Sequence, residues 1–183
     1  MKRVYFLMIA LAAFALSACS AIEDAATIKV DIPDFAITLP ATVTGPVGIT
    51  RVDPYNFSGS YTLNINQDAF SDIQPYISLI TGITISEVTV TITKVSGTGG
   101  TASNITLSAT GVTPNVTMSN FTFGTAVPGN AALKTFLQNT IMRLKNGDVT
   151  VSIVGTTDVA PGTELRISIE LSGVEVTAKT ITF

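Results

Sequence analysis

Histidine and tryptophan are absent from this 183-residue chain, and cysteine occurs once. Without histidine, no Ser-His or Cys-His pair can activate a nucleophile, and imidazole-held zinc or iron is excluded. One cysteine allows neither an internal disulfide nor a Cys-based metal centre. Lacking tryptophan, the chain has no broad indole platform of the kind on which carbohydrate modules stack sugars. Charge is sparse as well: Asp, Glu, Lys and Arg make up 13% of residues, with a net charge of −3. Such a balance provides no basic footprint for nucleic acid.

Carboxylates remain, and a glycosidase needs only two of them on facing walls. Asp31 and Asp34 flank Pro33, Asp53 precedes Pro54-Tyr55-Asn56, and Asp68 and Asp72 stand four residues apart. Each reads more simply as a turn or cap residue. No run has the spacing of a calcium loop, a phosphate-binding loop or a dinucleotide motif. Gly97-Thr98-Gly99-Gly100 lacks a following Lys-Ser/Thr and reads as a hairpin turn. The sequence therefore predicts no catalytic residues, no metal site and no cofactor.

The N-terminus carries the clearest signal. Lys2 and Arg3 precede an apolar run from Val4 to Leu16, which is too short for a spanning helix of about 20 residues. Leu16-Ser17-Ala18-Cys19 closes it, and the whole resembles a bacterial lipoprotein signal with its lipobox. The resemblance implies cleavage before Cys19, a diacylglyceryl thioether on its sulfur and acylation of the new amino group. It divides the chain into a signal peptide (1–18), a lipidated tether (19–26) and a single domain (27–183). Acyl chains contribute about 0.8 kcal/mol per buried methylene, so two or three would hold the protein on a membrane. Ser20, where some inner-membrane lipoproteins carry an acid, points to the outer membrane, on its periplasmic or surface face. Glu23-Asp24 is loosely similar to the export tethers of Bacteroidota surface lipoproteins.

From Thr27 onward, apolar residues alternate with polar ones, and Val, Ile and Thr favour strands. Val30 and Ile32 share one phase, Pro33-Asp34 interrupts, and Phe35, Ile37 and Leu39 resume in the other. That change implies a bend or bulge at Pro33. Further strands are predicted over 60–65, 86–95, 105–109, 149–153 and 165–171. At Gly173 the phase flips again, with Val174 and Val176 continuing from even positions.

Two stretches break the alternation. Leu133, Phe136, Leu137, Ile141 and Leu144 fall at helical spacing, Asn130 is placed to cap the start, and Asn146-Gly147 to end it. Phe70, Ile73, Ile77 and Ile80 suggest a second, poorer helix over 68–80, with Pro75 kinking it or near its start. The sum is a mainly β protein: an antiparallel β-sandwich, immunoglobulin-like, with one or two short amphipathic helices. A closed barrel around a ligand fits the same pattern.

The order of elements, with Val154-Gly155-Thr156-Thr157-Asp158 before a long final strand segment, resembles small uncharacterised envelope lipoproteins of Bacteroidota. That resemblance implies no activity. Asp53, Tyr55, Asn56 and Tyr61 are close in sequence and form a candidate polar-aromatic patch for a ligand or partner. Two functional expectations follow. The first is a lipid-anchored, non-catalytic binding, adhesion or structural module that contacts an envelope protein or glycan. The second is a carrier of lipid or another hydrophobe, which requires a connected apolar cavity of at least about 300 Å³.

Overall fold

A computed structural model describes residues 27–45 and 54–179. Among the described residues, ten antiparallel strands form one hydrogen-bonded sheet: β1 (Thr27–Ile32), β2 (Phe35–Thr44), β3 (Tyr55–Leu63), β4 (Ile80–Lys94), β5 (Thr101–Ala109), β6 (Val112–Met118), β7 (Phe121–Thr122), β8 (Val127–Pro128), β9 (Val149–Thr157) and β10 (Glu164–Lys179). Among the described residues, a single α-helix, α1 (Ala131–Arg143), separates β8 from β9. The order β6-β5-β9-β3-β2-β10-β4-β8 is continuous, with β1 beside β10 and β7 beside β5.

The path turns a corner at β2. Residues Phe35 to Thr42 of that strand pair with β10, whereas only Thr42 to Thr44 pair with β3. Gly59 of β3 lets the two backbones cross closely: a Cβ there would lie 2.0 Å from the Pro40 carbonyl oxygen. This three-residue seam joins two layers. Layer A contains β1, β2, β10, β4 and β8; layer B contains β3, β9, β5, β6 and β7. Inward residues of both belong to one core, including Leu39, Val90, Ile92, Ile167 and Ile169 from A and Phe57, Ile105, Leu107, Val151 and Ile153 from B. Burial of each such side chain contributes roughly 1.5–3 kcal/mol. Nothing in the strand order singles out the immunoglobulin arrangement; the mainly β, antiparallel, sandwich-like class is what the molecule has.

Helix α1 closes the side opposite the corner. It packs against β4 of layer A and β6 of layer B, strands near opposite ends of the path. Leu133, Phe136, Leu137, Thr140 and Ile141 are its buried residues, and the Thr140 hydroxyl is satisfied by donating to the Phe136 carbonyl. The Asn130 side chain accepts from the Leu133 amide at 2.9 Å, and a 3₁₀ turn over Leu144–Asn146 leads to Gly147. Core face, cap and stop all fall where the sequence places them.

The phase changes of the sequence meet in one row. Leu171 pairs with Phe35, Val174 with Ile32, and Gly173, at φ +57, lies between them opposite Pro33-Asp34. On the other side of β10, Ser172 pairs with Glu87 and Val174 with Ile85. Burial switches there in β4 too, from Ile85 to Val88. The Asp34 side chain accepts from the Gly173 amide at 3.3 Å. Alternation thus breaks in three adjacent strand lines at once, which preserves the ladder on either side.

Two expectations are corrected. Residues 68–80 form no amphipathic α-helix: they make two 3₁₀ turns, Asp68–Phe70 and Gln74–Leu79, with Pro75 in the first turn of the second. Ile80 already belongs to β4. The glycines at 97, 99 and 100 do not join a hairpin, because β4 pairs in layer A and β5 in layer B. They carry the chain between layers. Gly100 is required at that crossing, since φ is +124 and a Cβ would meet Val159 at 2.6 Å.

Candidate functional site

The described residues of the expected patch are spread along one strand. Cys19 and Asp53 lie outside the described residues. Tyr55, Asn56 and Tyr61 all stand on β3, but Tyr61 is six residues from Tyr55, about 20 Å along a strand. Tyr55 packs beside Gly45, where a Cβ would lie 2.9 Å from its ring. Asn56 is exposed at the corner, its carbonyl accepting from the Thr44 hydroxyl at 3.3 Å. Tyr61 is 37% exposed and lines a cleft of its own.

The carboxylates are dispersed. Asp34 supports Gly173, Asp148 accepts from the Asn64 amide, and Asp158 accepts from the backbone amide and hydroxyl of Thr101 at 2.7 and 2.9 Å. These are turn and loop fastenings. Among the described residues, no three acidic groups gather as metal ligands. Lys29 has its pKa raised above its ordinary 10.5 by its hydrogen bond to Glu175 and then by that carboxylate's charge.

What does assemble is a surface without charge. Strands β3, β5, β6, β7 and β9 contain no Asp, Glu, Lys or Arg at all. Their outward residues meet in register. Asn56 is opposite Thr156, and Thr156 opposite Ser103; Ser58 is opposite Val154, and Val154 opposite Thr106. Ser60, Ser152 and Ser108 form the next row, then Thr62 and Thr150. Lateral spacing within rows is about 4.8 Å, as in any sheet. Two pairs tie neighbouring strands within rows: Thr62 with Thr150 at 3.2 Å and Ser103 with Thr156 at 2.9 Å. Val154, 49% exposed, gives the face an apolar centre. A bulge at Asn104, φ +52, keeps Ile105 inward, where Gly155 leaves room for it and Phe57.

The cleft of Tyr61 exists because of the corner. Before Thr42, strand β2 does not pair with β3, and the gap between Ala36–Thr38 and Tyr61–Leu63 is roofed by Asn66–Phe70. Its volume is about 450 Å³. Gln67 donates to the Tyr61 hydroxyl and to the Thr62 carbonyl, both at 3.1 Å. Asn66 is held from two sides, its amide donating to Asn64 Oδ1 at 2.8 Å and its side chain accepting from Gln74 at 3.1 Å. Ile37, Leu63 and Phe70 form the apolar part of the wall. Sequence reasoning named Tyr61 but missed Thr38, Asn66, Gln67 and Asp68 as its neighbours. Only the corner brings β2 to them.

No family model matches the chain, and no curated protein matches it. Among solved structures, a chain titled Desmodium yellow mottle tymovirus is similar over 92% of this chain and 93% of its own. Identity is 13% and the TM-score 0.29, which carries no argument about fold or function.

Proposed function

We propose that this protein is a non-catalytic contact module of the bacterial outer membrane, anchored through lipid on Cys19. Its contact surface is the outer face of layer B, and its partner is an envelope protein or glycan. The charge-free register of that face is the observation that carries the reading. Depletion of charged residues is the compositional mark of interface centres, because a buried unpaired charge is costly whereas hydroxyls find hydrogen bonds readily. The hydrophobe-carrier reading is less well supported. Layer, corner and helix side chains fill the interior, and clefts of about 450, 420, 320 and 180 Å³ each include exposed residues in their walls.

Affinity purification of the full lipidated chain from gently solubilised envelopes, followed by mass spectrometry of proteins and lipids, tests the reading. A reproducible partner is expected from the native chain and not from the double variant Ser60→Lys, Ser152→Lys. Capture unaffected by the two lysines, or stoichiometric lipid held by the tether-cleaved domain, overturns it. Cys19→Ala is expected to move the chain from the membrane to the soluble fraction and to abolish palmitate labelling. Labelled or membrane-bound Cys19→Ala chain removes the anchor from the proposal.

A further inference from the structure

We propose that the cleft between β2 and β3 binds one neutral pyranose unit of a glycan, with Tyr61 as its stacking wall. This deepens the contact-module reading and rests on it. In this cleft an exposed aromatic ring, an unengaged carboxylate and fixed amides converge on a space of about 450 Å³. A pyranose has an apolar face of C–H groups and an equatorial rim of hydroxyls, so it needs an aromatic wall beside acceptors and donors. Tyr61 provides the wall, and its tilt is set by the Gln67 bond to its hydroxyl. With both Nε2 donors used, Gln67 presents its Oε1 as an acceptor. Asp68 is exposed, with no side-chain partner among the described residues, and a carboxylate accepts from two vicinal hydroxyls at once. Thr38, exposed on the β2 side, offers a hydroxyl.

The lining sets the ligand's charge. It contains one acid and no base, in a chain of net charge −3, so an anionic sugar is repelled and a neutral one is not. Because Asn64, Gln74 and the 3₁₀ turn Asp68–Phe70 already hold the roof, little side-chain ordering is left for binding to impose.

The test is saturation-transfer NMR on the full lipidated chain in a sugar-free detergent. Glucose, galactose, mannose and N-acetylglucosamine, each at about 10 mM, cover weak millimolar binding. Saturation of ring protons of at least one sugar is expected. It should fall about tenfold in Tyr61→Ala and clearly in Asp68→Ala, and persist in Thr93→Ala on layer A. No saturation with any of the four, or saturation equal in the Asp68→Ala protein, overturns the proposal. Asp68 is exposed, so its variant keeps the test decisive if Tyr61→Ala fails to fold. Partner capture that remains lysine-sensitive while sugars fail to bind sinks the cleft alone. Sugar binding without any lysine-sensitive partner sinks the face and spares the cleft.

Discussion

The two layers share one core and face water in opposite ways. Layer A places Glu87, Glu164, Arg166, Glu170 and Lys179 on its strands, and an ion pair, Lys29–Glu175 at 2.8 Å, ties β1 to β10. Layer B has no such residue on any strand. Both alternate inward Val, Ile and Leu equally well, so the fold itself does not call for the difference. Outward charges keep sheets soluble and discourage edge pairing. A layer that omits them throughout is left with hydroxyls, a few side-chain amides and one exposed valine, a surface suited to being covered.

The sharpest way to break the comparison is at the seam that creates it. Gly59→Val sets a Cβ about 2 Å from the Pro40 carbonyl oxygen, a contact only backbone movement can relieve. We expect a loss of at least about 3 kcal/mol, or no folded protein. Gly99→Ala is the control: open space surrounds it, and only its φ of +72 is strained, costing roughly 1–2 kcal/mol. Urea unfolding of both variants decides the matter. Equal midpoints would mean that β2 does not cross β3 closely.

Next in size are matched core truncations. Ile153→Ala in layer B and Ile167→Ala in layer A each remove a fully buried side chain and should each cost about 2–5 kcal/mol. If the layers are halves of one core, both variants unfold in a single transition under every probe. A layer B variant that leaves layer A folded would show two domains where one is described.

Much of this organisation was legible in the chain. The flip at Gly173 could be read because Leu165 to Leu171 and Val174 to Val176 occupy opposite parities around a residue free to adopt positive φ. Helix α1 was legible because its apolar spacing, Asn130 and Gly147 agree. Strand β6 was not: Pro114 interrupts its alternation, and it is tolerated there because β6 is the edge of layer B. The first half of β4 was hidden because Ile73, Ile77 and Ile80 mimic a helical period while serving two turns and a strand. The charge-free face was written in plain residues, yet β3, β5, β6 and β9 are scattered from 55 to 157. Their adjacency is tertiary, and so is the approach of Thr38 to Tyr61.

Helix α1 bridges the open ends of the layers, so loosening it should be felt by both. Asn130→Ala removes the acceptor for the Leu133 amide and is expected to cost about 1 kcal/mol. Hydrogen exchange locates the effect: amides of β4 and β6, which contact the helix, should lose more protection than those of β3. Uniform loss across all strands would show that the helix acts through global stability alone.

The smallest effect is confined to layer A and depends on pH. Folding raises the Lys29 pKa above 10.5, principally through the hydrogen bond from its Nζ to Glu175. A group whose folded value is raised contributes stability in full below its unfolded value and loses it as pH climbs through the folded one. Melting temperatures of the native and Lys29→Ala proteins should therefore differ slightly from neutral pH up to about pH 10, and converge above the raised value. The Lys29 side chain is 69% exposed, so salt should shrink the difference as well. A gap that stays constant through alkaline pH would assign the effect to packing of the lysine stem on β10, and the ion pair would no longer distinguish the layers energetically.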